Sequence, residues 1–215
     1  MTPLVLAIDT THETGSLALV RGEQTIEELA MCAPTGFAHV LYGELSGLLQ
    51  RNGIELGAIE CFAAASGPGS FTGVRVGLAC VKGLAEACGK PAVGVSNLRA
   101  LASFGAAPLR AALIDARRGE IYGAVYDAAG RLVVPEMVAR LEIFLKSLPA
   151  GDVEFIATDF SPFQPPIRGT AAPAALAAAI GRLAGQQLEA GDASDPAALD
   201  ANYVRRSDAE LFWKE

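Results

Sequence analysis

The chain has 215 residues, with 17 Lys and Arg against 24 Asp and Glu, so its formal charge is −7 and its isoelectric point lies near 4.9. That length suits one large domain or two small ones, and 51% hydrophobic residues with a mean hydropathy of +0.33 exclude a disordered or low-complexity chain. Apolar runs such as Leu4 to Ile8 and Cys61 to Ala65 fall well short of the roughly 18 residues a membrane span needs, and Met1-Thr2-Pro3 with Asp9 close behind is unlike a secretory leader, so no membrane association and a cytoplasmic location are expected.

Leu4 to Ile8 is a continuous apolar run suited to a central strand, and Ser16 to Val20 and Gln24 to Leu29 follow closely enough to form an antiparallel meander with it. Ala38 to Asn52 predicts an amphipathic helix ending at Gly53. A buried strand from Cys61 to Ala65, a turn on Gly67-Pro68-Gly69, and a helix from about Val74 to Cys88 closed by Gly89 come next. Ala92 to Val95 is another short strand. The order β-β-β-α-β-α-β argues for a mixed sheet covered by helices, an α/β architecture.

The second half begins the same way. Leu4 to Asp9 is echoed by Ala111 to Asp115, each apolar strand ending in Asp before a polar turn with Gly15 or Gly119 and a second strand, Ser16 to Val20 or Ile121 to Tyr126. The two Asp lie 106 positions apart, so a duplicated unit is expected, with residues 1–105 as one lobe and 106–215 as a smaller second lobe. A helix near Val138 to Leu148, a strand from Glu154 to Thr158, a Pro-rich loop from Ser161 to Pro166 and an Ala-rich helix from Pro173 to about Glu189 follow. The tail ending Phe212-Trp213-Lys214-Glu215 is expected on the surface or against a partner.

Cys32, Cys61, Cys80 and Cys88 are separated by 29, 19 and 8 residues with no Cys-x-x-Cys pair, which favours buried reduced thiols over a disulfide framework or metal site. The two histidines, His12 and His39, are too few for a zinc centre, so no metal is expected, and His39 near a helix start is a capping or interface residue. The glycine segment from Gly67 to Gly77 offers tight turns and free N–H groups at a helix start, where an anion can sit, with Ser70 or Thr72 as cap. It matches neither the Walker loop nor the dinucleotide fingerprint, and a structural turn and a ligand loop are both open readings. Asp9, followed by Thr10, either positions a metal or phosphate or closes an Asx turn. Asp115-Ala116-Arg117-Arg118-Gly119-Glu120 is either a solvated hairpin tip with Arg–carboxylate pairs or a substrate site.

Leu6-Ala7-Ile8-Asp9-Thr10, the Gly67 to Gly77 segment, Asp115 through Tyr122 and Tyr203-Val204-Arg205 together resemble the TsaB family, formerly YeaZ, over nearly the whole chain and in the right order. The resemblance implies duplicated ribonuclease-H-like lobes of the actin-like and Hsp70-like ATPase fold. It also implies a non-catalytic subunit of threonylcarbamoyl modification of the adenosine beside the tRNA anticodon, with no catalytic residue of its own. Its partners would be the homologous transferase TsaD as a heterodimer and the small ATPase TsaE, with a homodimer when alone and tRNA reached through the complex. Where TsaD carries two metal-binding histidines this chain has Asn97 and Leu101, and after the second-half strand it has Thr158-Asp159-Phe160-Ser161-Pro162 in place of a glycine cradle. No tightly bound cofactor is therefore expected, ATP being used by the complex. The alternatives are an ATPase or phosphotransferase of the same fold, or a peptidase acting on the homologue.

Two residue sets carry these readings. Asp9, Thr10, Gly67, Gly69, Ser70, Thr72, Gly73 and Arg75 would form any ligand site. Arg75, at a helix start where positive charge is disfavoured, suggests an anionic or acidic partner. The charges of the Val74 to Cys88 helix, Arg75, Lys82 and Glu86, share one stripe and leave an apolar arc of roughly 220°. That arc predicts a subunit interface of Val76, Ala79, Cys80, Gly83 and Ala87, joined by His39 and Tyr42 of the preceding helix.

Overall fold

The computed structural model describes residues 2–192 and 195–205, so Phe212 to Glu215, expected at a surface or partner, lie outside the described residues. Its first sheet runs β3-β2-β1-β4-β5, from β1 (Leu4–Asp9), β2 (Thr14–Arg21), β3 (Gln24–Cys32), β4 (Cys61–Gly67) and β5 (Ala92–Ser96). Strands β1, β2 and β3 pair antiparallel, while β4 pairs parallel with both β1 and β5. The second sheet runs β8-β7-β6-β9-β10, from β6 (Leu109–Arg117), β7 (Glu120–Asp127), β8 (Leu132–Arg140), β9 (Val153–Ala157) and β10 (Thr170–Ala171). Strand for strand it has the same order and the same senses. The duplication suggested by two Asp-ended hairpins therefore extends to all five strands of each α/β lobe, in agreement with the duplicated actin-like arrangement.

β1 is buried along its whole length because both faces of its sheet are covered. On one face Leu4, Leu6, Ile8, Leu17, Leu19 and Phe62 pack under α1 (Leu41–Arg51), through Leu41, Leu45 and Leu48, and α2 (Phe71–Cys88), through Val74, Leu78 and Val81. On the other, α5 (Ala177–Glu189) lies across β1, β2, β4 and β5. That face is small, with Val5, Ala7, Ala18, Val20 and Ala63, and the helix answers with Ala177, Gly181 and Ala184. A Cβ on Gly181 would stand 2.8 Å from Val20 and 3.3 Å from Ala7, so glycine sets the approach distance. The α5 N-terminus is capped from the sheet: Ser16 Oγ accepts the N–H groups of Leu176 and Ala177 at 3.2 and 3.0 Å, and Glu28 accepts that of Ala178 at 2.8 Å.

The chain thus divides into two compact units, one comprising residues up to Ala100 with Pro173–Ala201, the other Leu101–Ala172 with the segment from Asn202. This corrects the division at 105/106, because α5 completes the first sheet. The expected Val138 to Leu148 helix is also corrected: residues through Arg140 belong to β8, and α4 spans only Leu141–Lys146, its Leu141 and Phe144 filling the second core. The Ala38 to Asn52 helix opens as a 3-10 turn, Phe37–His39, before α1, and α3 (Asn97–Ala102) follows β5 directly. The Ala-rich helix starts at Ala177 rather than Pro173. Cys61 and Cys80 are buried, as expected, but Cys32 is exposed and Cys88 only partly buried. Burial pushes the Cys61 thiol up to about 12.

Candidate functional site

At the end of β1 the chain makes an Asx turn: Asp9 Oδ1 accepts the Thr11 N–H at 2.8 Å and the Thr11 hydroxyl at 2.7 Å. Asn97, from the start of α3, closes the group. Its amide donates to Thr11 Oγ1 at 2.8 Å and to Asp9 Oδ2 at 3.4 Å, and its Oδ1 accepts the Gly67 N–H at 3.0 Å. Asp9 and Asn97 are fully buried, and Thr10 and Thr11 are 1% exposed. The end of β1, the end of β4 and the start of α3 are therefore tied by one polar network. In the sequence Asn97 stands out only as a replacement for a histidine, and its position 88 residues from Asp9 hides this role from local pattern.

The glycine loop packs on the same turn. Ser70 N–H donates to Thr11 O at 2.7 Å, and the Thr10 hydroxyl donates to Gly73 O at 2.7 Å. A Cβ on Gly73 would meet Thr10 O at 1.9 Å, one on Gly69 would meet Thr11 O at 2.7 Å, and one on Gly77 would meet Thr10 Oγ1 at 2.7 Å. These glycines admit the chain's own β1–β2 turn. Ser70, not Thr72, is the cap, its Oγ accepting the Gly73 N–H at 3.3 Å, so the helix begins at Phe71, three residues before the expected Val74. The expected ligand set accordingly splits. Asp9, Thr10, Gly67 and Gly73 are interior, Gly69 is partly buried, and Ser70, Thr72 and Arg75 are on the surface. The Arg75 guanidinium lies 3.6 Å from the centre of the Phe71 ring, offsetting its poor placement at a helix N-terminus.

The second expected set lies on α1, the 3-10 turn before it, and α2. Tyr42 and Phe71 are 61% and 51% exposed, and Ala79, Gly83, Ala87 and His39 are exposed, with Val76 partly so. Cys80 departs from the set: it is 3% exposed and hydrogen-bonded to Tyr42, and burial pushes its thiol up. Nothing lies within 4 Å of a Cβ built on Gly83, and a shallow groove of about 260 Å³ runs along Lys82, Gly83 and Glu86 toward Pro196 and Ala197. Among the described residues no group of three or more His, Cys, Asp or Glu is placed to hold a metal ion, and no helix is long and apolar enough to cross a membrane.

In the second unit Asp115 repeats the Asp9 turn, its Oδ1 accepting the Arg117 N–H at 2.8 Å, but it is partly exposed. After β9, Asp159 accepts both the N–H and the hydroxyl of Ser161, which holds its carboxyl below the usual range, and Phe160 packs edge-on against buried Phe163. An Asx turn and the Phe160 ring occupy the stretch where the actin-like resemblance implies a glycine cradle.

Residues 36–173 match the family described as TsaD, tRNA N6-adenosine threonylcarbamoyltransferase. The chain is 31% identical over 232 residues, covering 98% of each protein, to the tRNA threonylcarbamoyladenosine biosynthesis protein TsaB of Bacillus subtilis. It is 38% identical over 128 residues, 57% of this chain and 54% of the relative, to the protein of the same name from Escherichia coli. Among solved structures, YeaZ from Pseudomonas aeruginosa superposes with a TM-score of 0.80 at 29% identity, over 94% of this chain and 99% of that one. End-to-end similarity to the Bacillus protein and the shared architecture with YeaZ lead to one conclusion: the chain belongs to the TsaB family.

Proposed function

We propose that this protein serves tRNA threonylcarbamoyladenosine biosynthesis as a non-catalytic subunit, pairing with and activating a TsaD transferase, with TsaE joining the pair and ATP used by the assembly. The observation that carries the accessory reading is the fate of the polar groups at the end of β1: Asp9, Thr11, Asn97 and the Gly67 N–H satisfy one another inside the fold. A buried carboxylate committed to two donors of its own turn is a structural acceptor, poorly placed to take a substrate proton. The family relationship supplies the pathway.

The pairing surface in this reading is the α1–α2 face. It combines an exposed tyrosine and phenylalanine with Ala79, Gly83 and Ala87, small residues that let a second helix approach closely, and aromatic anchors beside such a stripe suit an interface core. One face serving both homodimer and TsaD heterodimer makes the two assemblies mutually exclusive. Gly83→Arg tests this, since open space around Gly83 leaves the fold unaffected. Circular dichroism and melting are expected to stay near wild type while size-exclusion and pull-down assays lose both self-association and TsaD binding. A folded variant that still binds TsaD would move the interface elsewhere.

A further inference from the structure

The tip of the β6–β7 hairpin is built in a way its own turn does not require. Arg117, Arg118 and Gly119 have consecutive positive φ angles of 62°, 57° and 77°. Glycine takes that region freely and asparagine with little strain, whereas an arginine there is disfavoured by its Cβ. The pairing of Arg117 with Glu120 makes Arg118-Gly119 the centre of a two-residue turn, where Asn-Gly is the preferred pair. Two arginines therefore stand where the backbone would favour residues without a charge, and both are exposed. The tip is also held from below. Arg205 donates to Ala116 O at 3.1 Å, pairs with Glu120 and lies 5.6 Å from the Tyr122 ring centre. Asp115 is bound to the Arg117 N–H and lies 3.4 Å from its guanidinium. The tip thus presents two exposed arginines on a chain of net charge −7.

We infer that Arg117 and Arg118 form a contact for the phosphodiester backbone of RNA, presented on a hairpin that Arg205 clamps at its foot. The inference rests on the tRNA-modification reading. What arginine adds over asparagine here is a planar fork of donors that matches a phosphate, and clamping the foot lowers the cost of ordering the loop on binding. An acidic protein surface is the competing occupant, which the guanidinium fork also fits, and the tRNA-modification reading is what selects phosphate.

The test compares the wild-type full chain with R117N/R118N and with R118K. Each is measured for melting temperature, for tRNA binding by anisotropy across a salt series, alone and within the TsaD-containing complex, and for TsaD binding. The double asparagine variant is expected to melt at or above the wild-type temperature, because it relieves the turn. It should bind tRNA about tenfold or more weakly at roughly 0.1 M salt, with a salt slope shallower by about 1.4 to 1.8 for two lost phosphate contacts. R118K should keep the slope and lose part of the affinity. Unchanged tRNA affinity and slope would overturn the inference, as would a selective loss of TsaD binding, which would assign the tip to a protein partner. A lower melting temperature in R117N/R118N would show the arginines to be structural and overturn it too. If wild-type chain binds tRNA through these arginines yet supports no modification, the functional reading fails and this contact stands.

Discussion

At the scale of single residues the glycine loop is explained by what it touches. Gly73 faces Thr10 O so closely that alanine must displace backbone, whereas Gly83 faces open space on the same helix. Gly73→Ala is therefore expected to cost about 3 kcal/mol, a fall of roughly 6–12 °C in melting temperature for a chain of this size, and Gly83→Ala to add about 0.5–1 kcal/mol through helix propensity. Thermal unfolding of the two variants side by side checks this; equal effects would mean the loop is not packed on the β1–β2 turn. Asp9 and the loop glycines were visible as special positions because Asp, Gly and Pro mark turns wherever they cluster. What no local pattern reveals is that their partners are Asn97 and one another, since that closure is made by a strand pairing between distant segments.

At the scale of elements, strands with uninterrupted apolar runs were legible and those without were not. β8 carries Pro135 and Glu136 and buries Val134 alone, as an edge strand tolerates, so its periodicity is lost to a short helix beginning at Leu141. The duplication offered the missing signal: a third strand follows the first hairpin, and one was due after the second. β10 is a two-residue strand held by Glu154 on β9, whose carboxylate accepts the hydroxyl of Thr170 and the N–H groups of Ala107 at 2.8 Å and Ala106 at 2.6 Å. The Thr170 bond first, then the backbone donors, hold Glu154 below the ordinary glutamate value of 4.5. A carboxylate lowered in the folded state adds stability above its unfolded value and loses it as pH falls. Wild type should accordingly exceed Glu154→Gln in stability at neutral pH, with the gap closing as pH drops below 4.5. Chemical denaturation at several pH values measures it, and a gap constant with pH would assign the effect to geometry instead of charge.

At the scale of the whole molecule, two sheets of identical order follow from one repeated strand program, and the lobes differ in how each is covered. The first sheet has α1 and α2 on one face and α5 on the other; in the second unit an Asx turn and a loop join β9 to β10 where α2 joins β4 to β5. The assignment of α5 to the first unit was hidden because its alanines suit any shallow face, and only the Val5, Ala7, Ala18 and Val20 surface, assembled from two strands, identifies its seat. In the proposed function such a molecule supports a transferase without being one. Its most direct test is formation of threonylcarbamoyladenosine on tRNA from threonylcarbamoyl adenylate by purified TsaD and TsaE, with this chain added, with it omitted, and with the chain alone. Modification is expected when the chain accompanies TsaD and TsaE, and none from the chain by itself; equal modification without it, or transfer by the isolated chain, would contradict the account.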